Sequence, residues 1–435
     1  MPQPENTKIT ITSAIQQMRN MGRPLWANVE EVYVVEFAIA KLLCDHDEAA
    51  KIHENKDIES IKLTIEQSLA ILGARVYLEI SRVSQQASKL VSHHMRILRH
   101  VDDKRESLIT TYPSEPILAE AASHVMSHPR ILKQILDGVI YSVKNHIIVN
   151  AGEQGELVGR ILCLMAFDKV IQSKSGLHYI WNKHSQSITV EEFLNAFIGE
   201  GNYEKINSVL NETFNGLMFR NSKIRFSHFA YTNTTPSREK LVNFFFRGAA
   251  VLCKRGQQIV DLIIPIAMVP DDDTEVQHSN MSFIGIQIKN RKKHKSSDWP
   301  VNIAKAIGIC NNTPFPLPYL VVFMSLNEES RKIECHDTVT LRDTRNSYFR
   351  ERIGYLNIYG HTKNEYACLS WVDDNAEIQL QQLLQTYVDP FEEESAALWE
   401  GNEPESAWVT KYQNIVKNME PLRYEKCVFE NMDTS

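Results

Sequence analysis

The chain has 435 residues, a net charge of −7 and a hydrophobic content of 43%, which is the composition of an ordinary globular protein with a sizeable core. It contains no run of about 18 apolar residues and no basic, apolar leader, so neither a membrane-spanning helix nor a secretory signal is expected. The seven scattered cysteines form no CxxC pair, which argues against a disulfide framework or a structural zinc site. We therefore expect an intracellular protein, cytoplasmic or nuclear, that has two or three domains and does not enter a membrane.

Residues 1–220 place apolar side chains at helical spacing, and Pro and Gly separate the apolar stretches. This pattern predicts an all-helical first region. Its clearest helices are predicted over residues 30–43, 58–80, 119–126, 131–143 and 155–170. A further helix is expected directly after Thr189, because Thr is a favourable N-cap.

The pattern changes near residue 223, where β-branched and apolar runs replace the helical spacing. The predicted elements are a strand at 224–229, an amphipathic helix at 238–252, strands at 257–266, 282–289 and 319–325, a helix at about 300–310, a strand at 354–359 and a helix at 376–388. This order predicts a mixed α/β domain over residues 221–390, followed by a peripheral tail at 391–435. The expected fold class is thus a helical N-terminal region followed by a mixed-sheet α/β domain.

Two of the predicted strands carry charged side chains inside otherwise apolar runs. Asp261 interrupts the strand at 257–266, and Lys289 ends the strand at 282–289. A buried charge is unfavourable on its own, so such residues usually have a counter-charge, a metal ion or a substrate beside them. Gln287 and Lys289 are two residues apart and therefore point to the same face of their strand. If the two strands are neighbours, these three side chains converge at one end of a sheet.

This trio predicts a catalytic site for metal-dependent hydrolysis of phosphodiester bonds. Mg²⁺ or Mn²⁺ needs oxygen ligands, which the Asp261 carboxylate, the Gln287 amide and the Ile288 carbonyl would supply. Glu239 is a further candidate ligand, although an acidic residue at a helix N-terminus is favourable for dipole reasons alone. Lys289 would stabilise the charge that develops on the phosphate or help to activate the attacking water. The alternative is a structural salt bridge between Asp261 and Lys289 across the paired strands.

A basic run follows the second of these strands directly. It consists of Arg291, Lys292, Lys293 and Lys295, which are typical of a surface that holds nucleic-acid phosphates. Between residues 223 and 370 there are 20 Lys and Arg against 14 Asp and Glu, so this part of an acidic chain is locally basic. The alternative is a solvated loop, which is the usual environment of a charge run.

Two other groups of ionisable residues have simpler interpretations. Asp271, Asp272, Asp273 and Glu275 lie between the two strands and are typical of an acidic hairpin loop. His124 lies on a predicted helix without an acidic or cysteine partner at ligand spacing, so a core or surface histidine is expected. The sequence contains no P-loop, HExxH or kinase signature.

The pattern Asp-x-x-x-Pro at 261–265, followed by Ile-Gln-Ile-Lys-Asn at 286–290, resembles the PD-(D/E)XK, or restriction-endonuclease-like, nuclease fold. More of the chain resembles the C-terminal part of fungal Crinkler/RHS-type proteins, a group that is tied to effectors and transposons. The matching segments are residues 22–26, 112–122, 155–160 and 260–265.

The resemblance implies a restriction-endonuclease-like α/β domain after a helical region that, in longer members, follows a P-loop ATPase. It implies Mg²⁺- or Mn²⁺-dependent endonuclease activity on DNA, with an ATPase or a second copy of the chain as a partner. Asp261 takes the metal-binding position, and Gln287 and Lys289 take the two positions of the E-x-K element. Because Gln287 replaces the commoner Glu, a catalytically degenerate DNA-binding module remains an alternative, and so does a helical protein-interaction scaffold.

Overall fold

The computed structural model of the protein describes residues 9–385, except for 79, 81–83, 102–107, 145–151, 175–180, 215–216, 235, 255–256, 258, 291–302, 308, 310–316, 345–346 and 372–373. The helices of the first half are α1 (Ile11–Gln16), α2 (Val34–Leu43), α3 (His46–His53), α4 (Ile65–Val76), α5 (Ser84–His93), α6 (Pro116–Met126), α7 (Pro129–Lys144), α8 (Gly152–Ser173), α9 (Val190–Ile198), α10 (Glu200–Phe214) and α11 (Leu217–Asn221). The later helices are α12 (Arg238–Phe246), α13 (Ile303–Ala306) and α14 (Asp374–Gln385). None of the helices in the described ranges is long and apolar enough to cross a membrane.

The strands lie mainly in the second half of the chain. They are β1 (Ile97–Val101), β2 (Leu108–Thr111), β3 (Ile188–Thr189), β4 (Lys223–Ile224), β5 (His228–Tyr231), β6 (Ala249–Leu252), β7 (Leu262–Ala267), β8 (Met281–Lys289), β9 (Tyr319–Ser325), β10 (Glu334–Thr344) and β11 (Ser347–Tyr359). A helical N-terminal region followed by a mixed-sheet α/β region is therefore confirmed. The β1–β2 hairpin is an exception inside the first region, where the pattern predicted helices alone.

Capping explains where two of these helices begin. Thr64 precedes α4 and Thr189 precedes α9, and in each case the threonine hydroxyl accepts a hydrogen bond from the backbone N–H three residues later. The side chains of Gln67 and Glu192 accept the return bonds, which completes two capping boxes. The helix start expected after Thr189 is confirmed.

The main sheet mixes parallel and antiparallel pairs. Its strand order among the described residues is β10-β11-β9-β8-β7-β4-β3, and β6 lies against β7 and carries β5 on its other side. Strands β6, β7 and β8 are antiparallel neighbours, whereas β8 and β9 are parallel and are connected through α13. Since β5 is parallel to β6, the carboxyl ends of β5, β6, β8 and β9 meet at one edge of the sheet.

The helix expected over 238–252 is wrong in its second half. α12 ends at Phe246, Gly248 turns the chain with a φ of 61°, and β6 follows at Ala249. This left-handed backbone favours glycine at position 248, because other residues rarely adopt it. The run Ala-Ala-Val-Leu then forms a fully buried strand that sequence periodicity did not separate from the helix.

The helical region and the sheet share one hydrophobic core, which runs from Ile11 to Leu384. The buried Arg75 of α4 donates to both carboxylate oxygens of Asp168 on α8, at 2.6 and 2.9 Å, and its Nε donates to the Ser227 carbonyl beside β5 at 2.8 Å. Residues 1–387 accordingly group into one compact unit rather than separating at residue 220. The tail expected at 391–435 lies outside the described residues.

Candidate functional site

The β7–β8 hairpin brings Asp261 to the carboxyl end of β8. Leu262 pairs with Ile286 in the antiparallel register, and the N–H of Asp261 donates to the Ile286 carbonyl at 2.8 Å. The Ile288 N–H then donates to Asp261 Oδ2 at 2.7 Å, so the carboxylate takes the place that the next backbone carbonyl of a longer strand would occupy. The predicted neighbourhood of Asp261 and the Gln287–Lys289 segment therefore exists.

Gln287 and Lys289 lie on the opposite face of the sheet from α8. Ile288 points towards that helix, because a Cβ built at Gly159 would lie only 2.4 Å from Ile288 Cδ1. Side chains alternate along a strand, so the two residues on either side of Ile288 point the other way. Both are half-buried, whereas Ile288 is 5% exposed.

The Ile288 carbonyl projects to the same side as its N–H, because the N–H and C=O groups of one strand residue share a direction. It therefore points past the end of β7, towards Asp261. Asp261 Oδ1 makes no hydrogen bond to a described residue, so a carboxylate oxygen remains for a ligand. These oxygen donors fit a hard cation such as Mg²⁺, which keeps several of its waters.

The electrostatics of Asp261 are those of a largely buried acid. Burial raises the pKa of its carboxyl, while the Ile288 N–H and the positive charge of Lys289 lower that pKa in part. The Asp261 and Lys289 side chains nevertheless form no ion pair at 4.0 Å or less. The structural salt bridge considered from the sequence is thus not the arrangement that the structure has.

The chain that leads into Asp261 is strained. Ile259 has a φ of 83°, which is the left-handed region that a β-branched residue rarely adopts. Strained backbone persists only where the surrounding structure enforces it, and such positions cluster at functional sites. The same residue explains why the strand predicted from 257 begins only at Leu262, since a positive φ interrupts the extended chain.

A second acidic residue lies close to this end of the sheet. The Cys253 N–H donates to the Asp261 carbonyl at 2.9 Å. Burial raises the pKa of the Cys253 thiol, and the negative charges of Asp261 and of Glu156 on α8 raise it further, so both carboxylates lie near the one sulfur. Glu156 was not among the residues selected from the sequence. Its neighbours Gly155 and Gly159 were the sequence signal that could have pointed to it. They let α8 approach Asn290 and Ile288 closely, which brings this part of α8 to the end of β8.

Comparison with known protein families gives a match, which includes the segment that carries Asp261, Gln287 and Lys289. A family model described as a domain of unknown function, DUF8736, matches residues 56–313, which is more than half of the chain. The chain belongs to the DUF8736 family. No curated protein and no solved structure matches it. The DUF8736 segment extends from just before α4 to just after α13, so it contains Asp261, Gln287 and Lys289 together with α8, which packs behind them.

Other residues selected from the sequence lie elsewhere in this DUF8736 protein. Glu239 lies in the first turn of α12, close to His278, and the neighbouring Arg238 donates to the Ser279 carbonyl at 2.9 Å. Ser279 lies just before the start of β8, whereas Ile288 lies near the end of this strand. The distance from Met281 to Ile288 is about 23 Å at about 3.3 Å per residue. Glu239 is therefore not brought to Asp261, and the ligand role considered for it does not fit the structure.

The acidic loop has structural roles. Asp271 accepts bonds from the backbone N–H and the hydroxyl of Thr274, both at 2.8 Å, and Asp272 accepts from the Ser187 hydroxyl at 2.8 Å. This agrees with the hairpin-loop interpretation.

The basic run after β8 and the groups that could hold a metal ion remain. Arg291, Lys292, Lys293 and Lys295 lie outside the described residues. Within the described part of the chain, no group of three or more His, Cys, Asp or Glu side chains is arranged to hold a metal ion. A cation at Asp261 would therefore depend on backbone and amide oxygens and on water.

Proposed function

We propose that this DUF8736 protein is a nuclease-type protein that hydrolyses DNA phosphodiester bonds with Mg²⁺ or Mn²⁺, and that Asp261, Gln287 and Lys289 form its site. The observation that carries the proposal is the 2.7 Å hydrogen bond from the Ile288 N–H to Asp261 Oδ2. It holds a largely buried carboxylate against the Gln-Ile-Lys segment without an ion pair. Such a carboxylate is unfavourable for stability and is expected where it serves binding or chemistry.

The order of the elements around the site also supports the proposal. A helix (α12) precedes three antiparallel strands (β6, β7 and β8), and a further helix (α13) leads to the parallel strand β9. Asp261 stands at the start of the second antiparallel strand, and Lys289 is the last residue of the third. The resemblance to the restriction-endonuclease-like fold implies the metal-binding Asp on one strand and the E-x-K element on the next, and Asp261 and the Gln287–Lys289 segment follow that order along β7 and β8.

Each residue has a defined part in the proposed mechanism. The Asp261 carboxylate, the Ile288 carbonyl and the Gln287 amide oxygen would hold the cation. When bound, the metal polarises the scissile phosphate and lowers the pKa of a water. Lys289, on the same face as Gln287, would donate to the phosphate as negative charge develops on it. Burial of Asp261 keeps the carboxylate fixed and strengthens its interaction with a cation.

A second candidate function is a DNA-binding module without catalysis. The neutral Gln287 favours it, because it supplies one negative charge fewer than a Glu would. Burial also raises the pKa of Asp261, which opposes the ionised form that a metal requires. Both candidates place nucleic acid at the same edge of the sheet, so they differ in what happens after binding.

Plasmid cleavage separates these functions. Wild type, Asp261→Asn, Lys289→Met and the control Asp271→Asn would be incubated with supercoiled plasmid and Mg²⁺ or Mn²⁺. The control removes a carboxylate from the loop of the same hairpin, away from the site. We expect wild type and Asp271→Asn to cleave at similar rates, and the two site variants to be slower by roughly 100-fold or more.

Equal cleavage by all four proteins would contradict the site. If wild type binds DNA in a salt-dependent way but cleaves nothing with either metal, the binding module is correct and the nuclease is not.

A further inference from the structure

The helix α14 ends beside the carboxyl end of β8. The carbonyl of Leu384, one residue before the end of α14, lies 3.5 Å from the side-chain nitrogen of Asn290, which directly follows β8. The helix is fixed in this place, because Leu380, Leu383 and Leu384 are buried in the hydrophobic core. The chain beyond Gln385 therefore starts from the edge of the sheet at which nucleic acid is proposed to bind.

The sequence beyond α14 concentrates the negative charge of the chain in one acidic segment, residues 389–405. This segment contains no Lys or Arg and has seven carboxylates, which are Asp389, Glu392, Glu393, Glu394, Glu400, Glu403 and Glu405. Since the net charge of the whole chain is also −7, the rest of the chain carries no net charge. Residues 410–435, which follow the acidic segment, are balanced, with four Lys or Arg and four Asp or Glu.

The chain on the other side of the contact between Asn290 and Leu384 carries positive charge. The ammonium group of Lys289 forms no hydrogen bond and no ion pair at 4.0 Å or less with a described residue. In the sequence, Asn290 is followed directly by the basic run Arg291, Lys292, Lys293 and Lys295. The contact thus lies one residue from the basic run and five residues from the acidic segment. Stretches that are tethered so closely have an effective concentration for each other on the order of millimolar.

The tether is long enough for either face of the sheet. Asn290 points towards α8, because a Cβ built at Gly155 would lie 2.9 Å from the Asn290 Cβ, so Lys289 points the other way. Five residues of extended chain span up to about 17 Å, which exceeds the spacing of about 10 Å between packed layers. Charges also act on each other over about 8 Å at physiological salt. The acidic segment is therefore not confined to the face that α8 covers.

We propose that the acidic segment is an electrostatic competitor of nucleic acid, so that the chain limits its own affinity for phosphates at the carboxyl end of β8. The inference rests on the proposed function, since it concerns the access of nucleic acid to that site. Carboxylates and phosphates attract the same Lys and Arg side chains. A DNA duplex carries about one charge per 1.7 Å, so it displaces the acidic segment where it makes enough contacts. Weak, non-specific binding is suppressed first.

DNA binding by two full-length variants with matched changes of charge tests the competitor. The Asp261→Asn protein is the background, so that cleavage does not interfere. The test variant adds Glu392→Gln, Glu393→Gln, Glu394→Gln and Glu400→Gln. The control variant adds Glu420→Gln, Glu425→Gln, Glu430→Gln and Asp433→Asn, so both variants lose four negative charges. Fluorescence anisotropy of a labelled duplex of about 20 base pairs measures the affinity over a series of salt concentrations.

We expect the test variant to bind the duplex about tenfold or more tightly than the background at about 50 mM salt, because the competitor is weakened. The control variant should stay within about twofold of the background, since it changes the net charge equally but leaves the acidic segment intact. The difference between the two variants should shrink at about 300 mM salt, where charges act over roughly 5 Å.

Two results would overturn the competitor. One is an affinity of the test variant that equals that of the background, and the other is an equal gain in both variants, which would show that net charge alone is the cause. The proposed function can fail separately. A test variant that binds DNA more tightly, beside a wild type that cleaves nothing with Mg²⁺ or Mn²⁺, would reject catalysis and retain the competitor. No binding by any of the three proteins would contradict the proposed function and the competitor together.

Discussion

At the scale of single residues, the proposed site combines the largely buried Asp261 carboxylate with the neutral amide of Gln287, where a second carboxylate would strengthen the proposed metal binding. Asp261 is held by one backbone N–H and has one oxygen left over, whereas Gln287 contributes an oxygen without charge. The affinity of a hard cation rises with the number of charged ligands. On the proposed function, the identity of residue 287 would therefore set how tightly the site holds Mg²⁺.

Strand alternation allowed this part of the site to be predicted. Spacing of two along an extended chain fixed the common face of Gln287 and Lys289, and the charge inside an apolar run identified Asp261. The stacked pair of Tyr77 and Tyr231, with Arg99 beside it, could not be predicted in this way. Tyr77, Arg99 and Tyr231 lie far apart in the sequence and on three different elements, so only the fold brings them together. Ile259 was likewise missed, since a left-handed φ at a β-branched residue is imposed by its surroundings.

A cluster of four histidines, of which His184 is buried and the others are half-buried, gives a pH-dependent prediction. His124 of α6 lies 5.6, 6.0 and 6.2 Å from the ring centroids of His53, His128 and His184. Burial lowers the pKa of His124 to about 4, with further lowering by the charges of His128, His53 and Lys183, while the Ile52 carbonyl raises it in part. The unfolded histidine titrates near 6.5. The unfolded chain therefore takes up the proton first as the pH falls, and this contribution to stability is lost between about pH 6.5 and pH 4.

Urea unfolding of wild type and His124→Gln at pH 7, 6, 5 and 4.5 measures this contribution. We expect the free energy of unfolding of wild type relative to the variant to fall with the pH, by on the order of 3 kcal/mol over the whole window. Burial raises the pKa of Glu120 to about 7, which has the opposite effect on the pH dependence, but that effect is common to both proteins and cancels in the difference. A difference that does not change with pH would contradict a His124 that stays neutral in the folded protein.

At the scale of elements, the contact between α8 and β8 positions the site. Gly159 has no side chain to separate the helix from the strand, and Ile288 fills the space that a Cβ would need. Ile288 is buried and β-branched, so it has few other rotamers to adopt. Its backbone N–H is the donor to Asp261, which means that any movement of the strand is transmitted to the carboxylate.

Gly159→Ala tests this contact. The added methyl group would overlap Ile288, and we expect the free energy of unfolding to fall by roughly 1–3 kcal/mol. Gly201→Ala is the matched control, because Gly201 is also helical but a Cβ there meets nothing within 4 Å. It should stabilise the protein by roughly 0.4–1 kcal/mol. Urea unfolding curves measure both changes, and a loss of stability in the control equal to that in Gly159→Ala would show that space at Ile288 is not the cause.

Helices with strong periodicity and strands with long apolar runs were predictable. The strand expected at 319–325 matches β9, and the helix expected at 155–170 lies within α8. The β1–β2 hairpin was missed because all five residues of β1 are exposed, so it lacks the alternation of a half-buried strand. The strand β6 was joined to α12 for a different reason, since Gly248 interrupts the helix by its backbone conformation and not by a change in hydrophobicity.

At the scale of the whole molecule, the helices and the sheet form one structural unit. Buried side chains such as Arg75 pair across the two regions and leave no boundary at residue 220. The hydrophobic pattern of the sequence changes near that residue, but a change from helices to strands does not mean that a separate hydrophobic core begins. This has a consequence for the proposed function, because the helical region supplies α8, which packs against Ile288 beside Asp261. The proposed nuclease therefore requires both regions of the chain.

The most direct test of the site is a titration of Mn²⁺, followed by electron paramagnetic resonance, into wild type, Asp261→Asn and Gln287→Glu. If Asp261 and the Gln287–Lys289 segment bind a divalent cation, Asp261→Asn should weaken Mn²⁺ binding about tenfold or more, since it removes the charged ligand. Gln287→Glu should tighten binding, because it adds a second carboxylate on the same face of β8. Identical affinities in the three proteins, or no Mn²⁺ bound by wild type and Gln287→Glu alike, would contradict a metal site at Asp261.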